Sequence, residues 1–171
     1  MKYDGYKRLY ENTVRFYENR PRAKRALFLL NYALTALFIL SYGGLLVWAI
    51  ATEAEAERLI QSIFIPLFCL FAVAVLRTAI DRPRPYSEKG ANITPILHKK
   101  SKDKESFPSR HLACAFVIAT VFLPFFWGAG ICLMLFGLVL GYVRFALGVH
   151  YPSDLIGGAL LGLACGLFLL I

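Results

Sequence analysis

Four stretches of this chain run for 17 to 32 residues without a charged side chain: 26–50, 59–76, 112–143 and 155–171. About 20 apolar residues in a helix match the hydrocarbon thickness of a bilayer, so each of the first two runs reads as one transmembrane helix. The third is too long for one crossing, and Pro124, Gly128 and Gly130 interrupt it. A tight turn near Gly128 divides it into spans at 109–126 and 129–147. The last run, 155–171, is only just sufficient. Its Gly158, Gly162 and Gly166 recur every four residues, a small-residue stripe on which another helix can pack closely. The expectation is an all-α, polytopic membrane helical bundle of five spans, with 26–171 as one domain. The first span is too long for a signal-peptide core and is expected to be retained.

Composition excludes an ordinary soluble domain: 58% of the 171 residues are hydrophobic and the mean hydropathy is +0.57. The net charge of +8 points to anionic headgroups and cytoplasmic flanks, with no nucleic-acid partner expected. Residues 1–25 are basic, with Tyr3, Tyr6, Tyr10, Val14 and Tyr17 at helical spacing. They predict an amphipathic helix lying in the headgroup plane and ending at Pro21. Cys69, Cys114, Cys132 and Cys165 all lie in apolar runs without metal-type spacing, and read as small buried hydrophobes.

Three polar islands break this pattern. Arg144, His150 and Asp154 lie between the last two spans, where Pro152 suits the first position of a helix and puts Asp154 in its first turn. The carboxylate can hold one nitrogen of His150 and leave the other as base or nucleophile. Arg77, Arg84 and Pro85 sit in the long loop 77–110, where prolines stop the helix and stiffen a segment whose guanidiniums suit an oxyanion. Pro108, Ser109, Arg110 and His111 precede the third span, with Ser109 as N-cap and the free N–H groups of the first turn as an anion site. Each island alone also reads as ordinary interfacial residues beside a loop. Five spans place all three on one side.

Taken together, Arg77-x6-Arg84-Pro85, Pro108-Ser-Arg-His111 and Val143-Arg144-x5-His150-x3-Asp154 resemble the signature of the type 2 phosphatidic acid phosphatase superfamily of membrane lipid phosphatases. Order and spacing agree. Arg77 replaces a lysine, Arg110 a glycine and Val143 a serine, and five spans are fewer than the six common in that family. The resemblance implies hydrolysis of a lipid phosphomonoester or pyrophosphate without metal or other cofactor. His150 would attack phosphorus and form a phosphohistidine, Asp154 would orient it, and His111 would protonate the leaving oxygen and then activate water. Arg77, Arg84, Ser109, Arg110 and Arg144 would hold the phosphate. Undecaprenyl pyrophosphate, phosphatidylglycerol phosphate and phosphatidic acid are the candidate substrates. A lipid phosphotransferase or a silent anionic-lipid-binding protein are the alternatives, and the apolar spans disfavour a soluble haloperoxidase on the same site plan. The sequence leaves the oligomeric state open.

Charge also bears on orientation. Residues 1–25 carry eight Lys or Arg and 77–110 carry nine, whereas the loop between the first two spans is acidic but for Arg58. The bias in short loops puts the N-terminal segment and the islands in the cytoplasm, against the family's extracytoplasmic habit.

Overall fold

The computed structural model describes residues 4–96 and 104–167. Six helices follow in order: α1 (Asp4–Glu18), α2 (Pro21–Ala51), α3 (Ala56–Ile80), α4 (Arg110–Phe122), α5 (Trp127–Ala146) and α6 (Pro152–Leu167). Helices α2, α3 and α5 are long and apolar enough to cross a membrane. Their outer faces expose large apolar side chains, among them Leu40, Val47, Phe64, Phe71 and Leu138, a surface suited to lipid rather than water. The protein is an all-α membrane helical bundle.

Helix α4 sits inside it. Its 13 residues span about 20 Å at 1.5 Å per residue, and from Leu112 to Phe122 nearly every side chain is buried against α3, α5 and α6. The glycine stripe of α6 makes this possible. A Cβ on Gly162 would lie 2.4 Å from the Ala113 carbonyl oxygen, and one on Gly158 would lie 2.5 Å from that of Ser109. The two backbones therefore approach as only small residues allow.

Several boundaries differ from the sequence expectation. The turn after α4 falls at 123–126, where Pro124 lies, so Gly128 is already in the first turn of α5. Pro21 opens α2 instead of merely ending α1, because its fixed φ and missing N–H suit a first helical turn. Cys132 is exposed, unlike buried Cys69 and Cys165. The end of the predicted last span, 168–171, lies outside the described residues, as do Tyr3 and the loop positions 97–103.

The amphipathic face of α1 is spent on the protein. Tyr10 is 1% exposed; its hydroxyl donates to the Thr94 carbonyl at 3.3 Å and accepts from Ile96 N–H at 3.1 Å. It also fills the space beside Gly148, whose φ of +76° and 2.4 Å clearance to Tyr10 Oη exclude a Cβ. Tyr17 reaches the Tyr142 hydroxyl at 3.2 Å. Helix α1 thus clamps the loops at one end of the bundle, with tyrosines that the sequence assigned to headgroups.

Candidate active site

Four helix termini meet at that end. Arg77 lies in the last turn of α3, Arg110 opens α4, Arg144 lies in the last turn of α5 and Asp154 in the first turn of α6. The Ser109 N–H donates to the Asp154 carbonyl at 2.9 Å, tying the starts of α4 and α6 together. Between them opens a cavity of about 320 Å³ lined by Arg77, Arg84, Glu105, Arg110, His111, Arg144 and His150. All three islands therefore contribute to one site.

Asp154 is 0% exposed and densely held. Its Oδ1 accepts from Arg82 Nη1 at 2.7 Å. Its Oδ2 accepts from the Ser106 hydroxyl and, at 2.9 Å, from Tyr151 N–H. Arg82 also bonds Ser153 Oγ at 2.8 Å and lies 4.3 Å over the Tyr151 ring. His150 Nδ1 stands 3.6 Å from Asp154 Oδ2, within ion-pair reach but beyond a hydrogen bond. With Nδ1 turned to the carboxylate, Nε2 is left for chemistry. Burial holds the His150 pKa down to about 4, Asp154 pulling against it and Arg144 and Arg84 reinforcing it. The imidazole is neutral at pH 7 and has its lone pair.

The inner arginines are each anchored. Arg77 donates to the carbonyls of Glu105 and Pro108, and Arg84 to those of Lys104 at 3.2 Å and Val149 at 3.5 Å. Arg144 Nη1 donates to Asn31 Oδ1 of α2 at 3.3 Å. Anchoring leaves donors over. Six buried side-chain polar atoms of the described residues lack a partner, and four belong to this site: Arg77 Nε, Arg144 Nε, Ser109 Oγ and His150 Nδ1. Ser109 occupies the N-cap position as expected, but its hydroxyl makes no capping bond. Buried cations with spare N–H groups beside a helix N-terminus are suited to an anion.

Three residues of this constellation escaped the sequence reading. Arg82 lies in the long loop 77–110 but had no visible partner there. Ser106 stands one residue before the Phe-Pro-Ser run and carried no signal. Asn31 did carry one: it is the lone carboxamide in an uncharged run, and a buried polar group in such a run implies a partner.

A family model described as the PAP2 superfamily matches residues 58–171. The chain belongs to that superfamily, the type 2 phosphatidic acid phosphatases. Among curated relatives, YbjG of Escherichia coli (strain K12), named for an undecaprenyl-diphosphatase activity, is 31% identical over 123 residues, 70% of this chain and 59% of that protein. The lipid A 4'-phosphatase of Bacteroides thetaiotaomicron is 33% identical over 92 residues, 51% of this chain and 40% of that protein. The match thus covers less than two thirds of either relative's length. Among solved structures, Aquifex aeolicus LpxE superposes with a TM-score of 0.70 at 26% identity, covering 95% of this chain and 94% of that one. The phosphatidylglycerolphosphate phosphatase of Bacillus subtilis, with a TM-score of 0.57 at 20% identity over 88% and 76% of the two chains, shares the fold.

Proposed function

We propose that this protein is an integral membrane lipid phosphatase that hydrolyses a phosphomonoester or diphosphate through a phosphohistidine on His150. The observation that carries the reading is that His150, His111 and three anchored arginines line one cavity. Phosphoryl transfer asks mainly for alignment and for charge to meet the equatorial oxygens. Arg77, Arg84 and Arg144 supply that charge, with Ser109 Oγ and the backbone at Arg110 beside them. His150 Nε2 attacks in line and its P–N bond replaces the ester P–O bond. Asp154 orients the ring and balances the imidazolium that forms. With a monoester His111 gives a proton to the leaving oxygen; with either substrate it then takes one from the water that releases phosphate.

A lipid substrate is supported by an apolar groove of about 200 Å³ between α2, α4 and α5, lined by Thr35, Phe38, Ile39, Cys114, Ala115, Ile118 and Leu140. Arg110 and His111 line this groove as well as the polar cavity, so a chain lying in it delivers its phosphate to His150. Metal independence is part of the reading: among the described residues no three His, Cys, Asp or Glu are grouped to hold an ion. The protein crosses the membrane five times in this account, with α4 and α6 as the inner helices. The site faces the cytoplasm, on the same side as basic α1. A cysteine at Ser101, in a chain lacking its native four, should stay unlabelled by an impermeant thiol reagent until cells are lysed; labelling of intact cells reverses the orientation.

The purified protein, assayed for phosphate release from undecaprenyl pyrophosphate, phosphatidylglycerol phosphate and phosphatidic acid, should turn over at least one of them. A chelator should leave the rate within about a factor of two, since the described residues form no metal-ligand set. Inactivity on all three, or a rate restored only by magnesium, contradicts the proposal.

A further inference from the structure

The four arginines of the cavity form two tiers. Arg77, Arg84 and Arg144 are buried and tied to named acceptors. Arg110 is exposed, and its guanidinium makes no hydrogen bond or ion pair among the described residues. It lines both the polar cavity and the apolar groove, so it stands where the headgroup gives way to the chain. A polyprenyl monophosphate places hydrocarbon there, directly after its one phosphate, and has no use for a second-tier cation. A diphosphate places its second phosphate there. Charge points the same way. Asp154 is matched by Arg82, and the cavity's four guanidiniums and one carboxylate leave three positive charges in excess. A lipid diphosphate carries up to three negative charges and a lipid monophosphate up to two.

We infer that Arg110 binds the chain-proximal phosphate of a lipid diphosphate and is the residue that selects diphosphates over monophosphates. The inference rests on the phosphatase reading above. His150 Nε2 forms a bond to the terminal phosphorus while the bridging P–O bond breaks, and the bridging oxygen leaves with the electron pair on a lipid monophosphate. Phosphate is a good leaving group, so its charge is met by Arg110 with no proton required at that step. Water then attacks the phosphohistidine, its proton passes to His111, the P–N bond breaks and inorganic phosphate departs. The chemical class that this site consumes is a lipid diphosphate, and it returns the lipid monophosphate.

The test compares a polyprenyl diphosphate with the matching polyprenyl monophosphate on the purified full chain, for the wild type, Arg110→Gln and Arg110→Lys. Wild type should favour the diphosphate in kcat/KM. Arg110→Gln should lower the diphosphate-to-monophosphate ratio about tenfold, the scale of one charge-assisted hydrogen bond, and Arg110→Lys should restore part of it. An unchanged ratio in Arg110→Gln, or a wild type that prefers the monophosphate, overturns the inference. Binding of inorganic pyrophosphate and orthophosphate, followed by calorimetry, separates this from a failure of the phosphatase reading. A wild type inactive on these two lipids and also on phosphatidylglycerol phosphate and phosphatidic acid ends that reading, while tighter pyrophosphate binding that Arg110→Gln abolishes sustains the assignment of Arg110. Equal binding of the two anions by wild type overturns it.

Discussion

The two flanks of His150 are built on opposite plans. On one flank Asp154 has a partner for each oxygen: Arg82, the Ser106 hydroxyl and Tyr151 N–H. On the other, Arg144 rests on a single side-chain acceptor, Asn31, with its Nε unpaired. A buried carboxylate without such partners would be costly, and full satisfaction fixes it before any substrate arrives. A phosphate site needs the reverse, because an N–H already engaged has nothing to offer the ligand. In the proposed mechanism one flank positions the nucleophile, and the other is left under-satisfied for the anion. Changes on the first should therefore weaken the fold and the rate together, whereas changes on the second should weaken the grip on phosphate.

Arg82→Met is the larger perturbation. Removing one partner of a buried ion pair costs about 3 kcal/mol, and Asp154 would retain only Ser106 and Tyr151. Thermal unfolding should shift downward and kcat should fall by about a hundredfold, since His150 loses its fixed carboxylate. A variant of unaltered stability would show that Arg82 is ornamental and collapse the contrast between the flanks.

Asn31→Leu is the smaller change. It frees Arg144 without touching Asp154. Affinity for inorganic vanadate should fall about tenfold, the scale of a lost hydrogen bond to a charged group, with little change in unfolding temperature. In an Arg144→Ala background the same substitution should have almost no further effect on vanadate binding. Additive losses in that double variant would mean that Asn31 acts through something other than Arg144.

The difference between the flanks also explains what the sequence could reveal. The islands were legible because charge amid apolar runs is conspicuous, and the spacing of His150 and Asp154 across Pro152 is a local matter that one helical turn settles. The glycine stripe announced a close helix contact on α6 for the same reason, without naming α4 as the partner. Arg82–Asp154 and Ser106–Asp154 join residues 72 and 48 positions apart, and no local pattern chooses Arg82 over Arg84 for that task. The tyrosines of α1 had the right period, but period does not say whether a face meets lipid headgroups or loop carbonyls. Tyr10 was decided by Thr94, Ile96 and Gly148, all distant in sequence. Helix ends near Pro21 and Pro124 shifted because Pro21 opens α2 and Pro124 lies in the turn that ends α4 before Gly128.

The central claim is that neutral His150 is the nucleophile, and the rate of phosphate release as a function of pH, in wild type and His150→Ala, tests it most directly. A base whose pKa is lowered keeps its lone pair at pH values where a free histidine would be protonated. Wild-type kcat/KM should therefore persist through pH 6.5, where an ordinary histidine titrates, and be lost only as the pH falls through about 4. His150→Ala, folded and stable in detergent, should release no phosphate at any pH. Turnover near the wild-type rate in His150→Ala would contradict the account outright.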